Sequence, residues 1–397
     1  MVGCLTISCR LNKLRMVAEK IVLYANTDWY LYNFRRSLAL RLQHDGYEIL
    51  LLSPTGPYGE KLRALGLRWE PLPMDRRSLN PIREFGLLWH LVRLFWRERP
   101  ALVHGFTIKC AVYGSLAARL AGVPARINAV GGMGYVFTSS ELKARALRPI
   151  VRLLLHWALG GKNARLVLQN ADDVSFFEGE GLADHRSIRL IRGSGVNCAH
   201  FFRSNMPDTQ RGRRPSVLLA ARLLWDKGIA EYVESARILR VQGRDIRFLL
   251  AGTPDAGNPA AIPVDTVEKW VSEGLIEWLG HVDDMPALLS TIDVFALPSY
   301  REGLPKGLIE AGASGIPLVS TDVPGCREVI TGGEDGLLVP VRDAAALAAA
   351  IARLIDDQDL ATRLGAAARK KTMAEFEESI VIDRTLAVYR ELLGTRV

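Results

Sequence analysis

The sequence predicts an α/β protein made of two doubly wound parallel-sheet domains that face one another across a cleft. Three observations carry this reading. Short continuous apolar runs alternate with amphipathic helical stretches, the pattern of parallel strands covered on both faces. The rhythm breaks once, at the polar stretch SNMPDTQRGRRP (204–215), and then restarts. The length of 397 residues is two to three times that of a typical domain of ~150 residues. In chain order, the strands of the first half are IVLY (21–24), EILLLS (48–53), LVHG (102–105) and ARLVLQN (164–170). Helical stretches such as Phe34–Asp45 and Leu87–Glu98 lie between them. After the break come SVLLAAR (216–222), FLLAG (248–252), IEWLG (276–280), DVFALPS (293–299) and PLVST (317–321). Residues 18–203 are thus expected to form one domain and 216–375 the other, joined by the linker 204–215. Residues 376–397 are expected to form a helix that returns to the first domain. Open parallel sheets bind ligands beyond the carboxyl ends of their strands, so the cleft is where a site belongs.

Half of the residues are apolar (49%) and a quarter charged (24%), which excludes disordered, collagen-like and small disulfide-scaffold proteins. The net charge of +8 is unevenly spread. Residues 1–200 hold 28 Lys and Arg against 15 Asp and Glu (+13), and residues 201–397 hold 23 against 28 (−5). A basic half joined to an acidic one suggests different partners, one of them anionic. Cys4, Cys9, Cys110, Cys198 and Cys326 form no CxxC pair or zinc spacing, which reads as a reduced, cytoplasmic protein. No run of 18 apolar residues is free of charge, so no transmembrane helix is expected. The first residues run from apolar to basic, the reverse of a secretory leader, and Met16 stands just ahead of the first strand. Residues 1–17 therefore read as a loose tail or as a start placed too far upstream.

The densest chemistry lies in PSYREGLPKGLIEAGASGIPLVST (298–321). A Gly-bearing loop feeds a helix that opens with Pro305 at its first position and stops at Gly315. Such a helix start suits phosphate, and Glu302 and Glu310 beside it could accept hydrogen bonds from sugar hydroxyls. The bland alternative is a pair of solvated glutamates. Just after an earlier strand stand Arg222, Lys227 and Gly228, where two cations could neutralise a diphosphate or simply form a surface basic pair.

Taken together, Arg222…Lys227-Gly228, Ala251-Gly252, Leu279-Gly280-His281 and Ser299-x-x-Glu302-Gly303-x-Pro305…Glu310-Ala311 resemble the family 4 retaining glycosyltransferases of GT-B fold. The resemblance spans residues 18–390 and is strongest over 216–340. RRSLNP (76–81) and GGMGYVF (131–137) are similar to a narrower group, bacterial transferases that add N-acetylgalactosamine or related sugars to undecaprenyl-diphosphate-linked acceptors. The resemblance implies that Arg222 and Lys227 grip the donor diphosphate, that Glu302 holds the transferred sugar, and that the Gly303–Leu304 backbone lies against sugar and phosphate. It further implies Glu310 at the ribose and His281-Val282 near the base of a UDP-sugar. It implies no metal and no cofactor, and Asp283-Asp284 reads as helix capping or surface.

On the acceptor side, NTDWYLYNFR (26–35) lacks the Gly-Gly pair that many members of the family carry at this turn. A helix is expected to begin at Asn33-Phe34-Arg35, with Arg35 or Arg36 able to meet an anionic acceptor. HGFTIKC (104–110) offers His104, Thr107 and Lys109, and the glycines Gly132 and Gly134 permit a tight loop facing the cleft. The narrower group has a lysine where Lys109 stands, which makes it a candidate phosphate contact, whereas His104 suits a packed strand end better than a base. Residues 139–165 and Leu87–Arg99 interleave arginines with Trp, Phe and Leu, as helices lying on an anionic membrane do, or as helices with one face in the core and arginines outward do. Nothing resembles a nucleic-acid motif. The expected activity is transfer from a UDP-sugar to an undecaprenyl-diphosphate-linked saccharide, in surface polysaccharide or glycoprotein glycan assembly, by a protein peripheral on the inner face of the membrane. The rivals are a nucleotide-sugar epimerase of the same fold and a membrane-surface binding protein with a vestigial cleft.

Overall fold

The computed structural model describes residues 18–75, 78, 80–131, 142–201, 213–255 and 258–394. It contains two parallel sheets. The first is built from β1 (Lys20–Tyr24), β2 (Glu48–Ser53), β3 (Arg68–Pro71), β4 (Leu102–Phe106), β5 (Ala125–Val130), β6 (Ala164–Leu168) and β7 (Ile188–Leu190), in the order β3-β2-β1-β4-β5-β6-β7. The second uses β8 (Ser216–Ala220), β9 (Arg247–Ala251), β10 (Glu277–Gly280), β11 (Val294–Leu297), β12 (Leu318–Thr321) and β13 (Leu337–Val339), in the order β10-β9-β8-β11-β12-β13. In each sheet the strand order reverses once, between β1 and β4 and between β8 and β11. A crevice opens at such a reversal, so both sheets point a ligand-binding end at the space between them.

The apolar runs form strands because both faces are covered. Ile21 and Leu23 point into one core and Val22 and Tyr24 into another, all fully buried. The helices Pro81–Glu98, Ile108–Leu120 and Leu142–Leu159 share one face, since the outer two pack against the middle one. The opposite face carries Arg36–His44 and the chain's last helix, Glu378–Leu393. That last helix buries Val381, Ile382, Leu386 and Tyr389 against Ile21, Leu23 and Leu42 of the first domain.

The polypeptide passes between domains at Gly193–Val196 and returns at Phe376–Glu378, and the two passages are hydrogen-bonded. The Val196 N–H donates to the Phe376 carbonyl at 2.9 Å, and the Glu378 N–H donates to the Val196 carbonyl at 3.1 Å. Val196 and Cys198 already belong to a core of the second domain, so the passage lies upstream of the stretch 204–215. Residues 202–212 lie outside the described residues, as do 1–17.

One helix start differs from expectation. The helical segment opens at Asp28, not at Asn33–Arg35, with Thr27 Oγ1 accepting from the Tyr30 N–H at 3.1 Å. It continues through one π turn, Leu31–Arg35, into Arg36–His44. The Asp28 carboxylate is buried and accepts from the Tyr58 and Gly59 N–H groups at 2.6 and 2.9 Å, which ties this start to a helix start 30 residues on. The extra residue of a π turn shifts the helical register of its neighbours, and here it turns Arg35 inward.

Candidate active site

The loop after β11 and the loop after β8 meet at the carboxyl edge of the second sheet. Lys227 ends a short 3₁₀ turn, Trp225–Lys227, and Gly228 comes next with φ 68° and ψ 27°. A Cβ at Gly228 would lie 2.0 Å from the Pro298 carbonyl oxygen, so only glycine lets the two loops touch. That contact brings the Lys227 ammonium to 2.5 Å from Glu302 Oε1, which also accepts from Ser299 Oγ at 2.7 Å. Both side chains are largely shielded, at 17% and 11% exposure. Behind them, Gly325 (φ 79°) backs onto the Glu302-Gly303 peptide, where a Cβ would meet the Gly303 carbonyl oxygen at 2.5 Å.

The helix Lys306–Ala313 starts from this loop. Pro305 stands at its cap (φ −76°, ψ 106°), one position before the first helical residue where it was expected. Glu310 lies one turn in, its Oε1 3.3 Å from Lys306 Nζ. Burial pushes the Glu310 carboxyl above its ordinary range, and Lys306 opposes the shift only in part. Arg222 is not drawn into the Lys227–Glu302 pair. Its side chain is 60% exposed and reaches Asp255 Oδ2 at 3.0 Å. His281 and Val282 come after β10 on the same edge. His281 Nε2 lies 3.3 Å from Asp283 Oδ1, and Val282 packs on the apolar cluster beneath the site. Asp284 caps the helix Met285–Ser290 by accepting from the Ala287 N–H at 3.0 Å, as its position suggested.

Between the domains lies a cavity of about 180 Å³. Its first-domain wall is Tyr30, Phe34, Arg35, Thr107, Gly131 and Gln169. Its floor is Gly193–Gly195, and its second-domain wall is Glu302, Gly303, Leu304, Lys306 and Ile309. Polar contacts cross it. Lys306 Nζ donates to the Asn33 carbonyl at 3.0 Å, Asn170 Nδ2 donates to the Gly303 carbonyl at 2.8 Å, and Arg301 pairs with buried Asp173 at 3.2 Å.

Residues 20–170 match the family described as Glycosyl transferase 4-like, and residues 214–357 match Glycosyl transferases group 1. Over 367 residues the chain is 31% identical to the alpha-D-kanosaminyltransferase of Streptomyces kanamyceticus, covering 84% of this chain and 89% of that one. The chain belongs to this glycosyltransferase family. It is also 29% identical, over 91% of its length and 96% of the other's, to a Campylobacter jejuni enzyme. That enzyme is the N,N'-diacetylbacillosaminyl-diphospho-undecaprenol alpha-1,3-N-acetylgalactosaminyltransferase. The transferase shares its GT-B fold with Anabaena HepE, crystallised with UDP, at a TM-score of 0.74 and 17% identity over 94% of this chain and 100% of that one.

On the acceptor side, His104 takes the packed strand-end place that the sequence favoured, and Lys109 is not brought to the cavity. His104 does not reach the cavity of the transferase. It is 2% exposed on β4, with Nδ1 2.7 Å from the Tyr389 hydroxyl of the returning helix. Burial, aided by Arg35, holds its imidazole well below the ordinary histidine range, so it is a neutral core group. Lys109 is committed elsewhere, donating to the Asp75 and Ser78 carbonyls at 2.7 and 3.1 Å and to Glu84 at 2.8 Å. It straps the segment before helix Pro81–Glu98 to helix Ile108–Leu120. Gly132 and Gly134 lie outside the described residues, as do the rest of GGMGYVF after Gly131 and half of RRSLNP. Arg35 and Thr107 do line the cavity. Sequence reasoning missed Lys306, although its place four residues before Glu310 on a helix was a readable signal. Tyr30, Phe34 and Gln169 carried no such signal.

Proposed function

We propose that this transferase moves a hexose or N-acetylhexosamine from a UDP-sugar to an undecaprenyl-diphosphate-linked saccharide, with retention at the anomeric carbon. The observation that carries the reading is the shielded Lys227–Glu302 pair, whose Glu302 lines the interdomain cavity. UDP bound to HepE supports the donor, and the Campylobacter relative's substrate supports the acceptor. Without ligand, Lys227 rests on Glu302 and Arg222 on Asp255. A donor diphosphate draws both cations to itself, and they stabilise the charge that grows on the leaving UDP. Glu302, still held by Ser299, is then free to accept from sugar hydroxyls. The acceptor hydroxyl attacks the anomeric carbon on the face the phosphate leaves. As the new C–O bond forms and the bond to phosphate breaks, the departing phosphate oxygen takes the hydroxyl proton. Configuration is retained without a protein nucleophile. Glu310 accepts from the ribose hydroxyls, the Gly303–Leu304 backbone lies along the sugar, and His281-Val282 flank the uracil.

No divalent ion or cofactor is required in this scheme, because two cations neutralise the diphosphate and Asp284 is engaged as a cap. The test is a panel of UDP-sugars with a lipid-linked acceptor in EDTA, the linkage read by NMR. One α-linked product at an unchanged rate is expected. Conversion of the UDP-sugar in the absence of acceptor would instead identify an epimerase.

Glu310 adds a pH signature. Its carboxyl titrates above the ordinary range, and only the ionised form accepts two ribose hydrogen bonds. UDP affinity is therefore expected to fall on acidification, starting at a higher pH than an exposed glutamate would give. Glu310→Gln should remove that titration, and calorimetry across pH checks it.

The membrane face belongs to the same proposal. Among the described residues no helix is long and apolar enough to cross a bilayer. Helix Pro81–Glu98 turns Ile82, Phe85, Trp89 and Trp96 outward, and helix Leu142–Leu159 turns out Ile150, Leu153 and Trp157. Exposed Arg93 and Arg152 flank these stripes, which suits insertion into an anionic leaflet at the inner face of the cell membrane. The side chains of residues 142–147 lie outside the described ones. Phe85→Ser with Trp157→Ser should weaken binding to phosphatidylglycerol vesicles by at least about 10-fold, as measured by sedimentation.

A further inference from the structure

We infer that the first domain carries its own anion subsite, formed by Arg35, Thr107 and the N-terminus of helix Ile108–Leu120, and that it holds the diphosphate of the acceptor. The inference rests on the proposed transfer to a lipid-diphosphate saccharide, and it assigns the second diphosphate a place separate from the Arg222 and Lys227 of the donor.

Arg35 is the first observation. It is 6% exposed, cannot shed its proton, and has no carboxylate partner among the described residues. Its guanidinium lies 4.3 Å over the Phe106 ring and 5.5 Å from that of Tyr30. Nη2 donates to the Tyr30 hydroxyl at 3.0 Å, and Nε has no acceptor. The rings hold the cation in place without neutralising it. Arg126 is comparably buried and also leaves Nε unpaired, but unlike Arg35 it does not line the cavity. A buried charge left uncompensated beside a cavity is a group waiting for an anion.

Thr107 is the second. It ends β4 at φ 74°, a region that a β-branched residue occupies only under strain. Its N–H is held by the Ala129 carbonyl at 3.0 Å, while its buried Oγ1 has the Cys110 thiol as its hydrogen-bonding neighbour. Thr107 occupies the cap position of a 13-residue helix, and no side chain caps that helix. The first-turn N–H groups and the positive end of the helix dipole are thus left available behind the Thr107 wall.

Geometry selects the acceptor. Arg35 and Thr107 stand on the wall opposite Glu302 and Lys306, at the strand-order reversal between β1 and β4. The donor cations Arg222 and Lys227 stand at the end of β8. A saccharide that carries a diphosphate on its own anomeric carbon can reach toward Glu302 with a hydroxyl while its phosphates rest on Arg35.

The test uses the full chain and two acceptors with the same sugar. One is a short-prenyl diphosphate saccharide and the other an uncharged alkyl glycoside. The wild type should favour the diphosphate acceptor in KM. Arg35→Gln should raise that KM by about 10- to 100-fold, the range for a hydrogen bond to a charged group. It should leave the alkyl glycoside KM, the UDP affinity and the acceptor-free hydrolysis of UDP-sugar within about twofold. Equal loss with both acceptors would make Arg35 structural, and parallel loss of UDP affinity would move it to the donor. Either result overturns the subsite. Should Arg35→Gln fail to fold, Thr107→Gly decides, since glycine accepts φ 74° without strain. An undiminished diphosphate preference in that variant overturns the proposal. Wild-type protein that binds no UDP would sink the transferase reading itself. Wild-type protein that binds UDP but ignores the acceptor diphosphate would sink the subsite alone.

Discussion

Lys227→Ala lowers the rate of sugar transfer by about 10²- to 10³-fold, the usual cost of removing one preorganised group from a site of developing charge. The loss falls on kcat, because the cation acts most strongly on charge that appears as UDP departs. Glu302→Ala gives a loss of similar size through the transferred sugar. Neither change removes core volume, since neither side chain belongs to the buried apolar clusters. Circular dichroism and the thermal transition should therefore match the wild type, within the small change expected from breaking one ion pair. Steady-state kinetics with a fluorescent lipid-linked acceptor measures the effect, and full activity in either purified variant would remove these residues from the site. Arg222→Ala is expected to cost less, because its side chain is 60% exposed and must reach in from Asp255.

Gly228→Ala should be worse for the protein than either. The added methyl would lie 2.0 Å from the Pro298 carbonyl oxygen, and the backbone would have to hold φ 68° with a side chain. Left-handed backbone and overpacking together cost about 3 kcal/mol. The loops can escape only by separating, which pulls Lys227 from Glu302. Activity and the denaturation midpoint of the second domain should thus fall together, and this separates the variant from Lys227→Ala. A Gly228→Ala protein with wild-type stability and rate would mean that the loops can move apart without loss, against their close packing.

The second-domain part of the candidate site was legible because its residues are local in sequence. Glu302, Gly303 and Glu310 share one loop and one helix, and the Lys227 turn is joined to them by a single glycine contact. The first-domain part was less legible, because distant segments decide it. His104 is claimed by Tyr389, 285 residues away, and Lys109 by Glu84 and two carbonyls of the segment before it. The helix at Asp28 was placed too late because a buried carboxylate capping a helix 30 residues on has no local signature. Strand β5 escaped notice for a related reason. Arg126 and Asn128 break its apolar run, yet both are buried, with Gly160 and Ser115 as partners. Strands β3, β7 and β13 are three or four residues long, too short to show a period.

The returning helix Glu378–Leu393 has a consequence for biosynthesis. Ile21 and Leu23 are made at the start of the chain, but Leu386 and Tyr389, which cover them, are made at its end. At about 5–20 residues per second, a ribosome needs roughly 10–40 s to travel from the end of β7 to that helix. During that interval one face of the first sheet is covered only in part, by Arg36–His44. The second domain has all its strands by Val339, and its cores are completed by Leu347, Leu364, Ala368 and Phe376, all made before that helix. A chain truncated after Glu377 should accordingly show a complete second domain and a first domain that a chaperone or a protease can still reach.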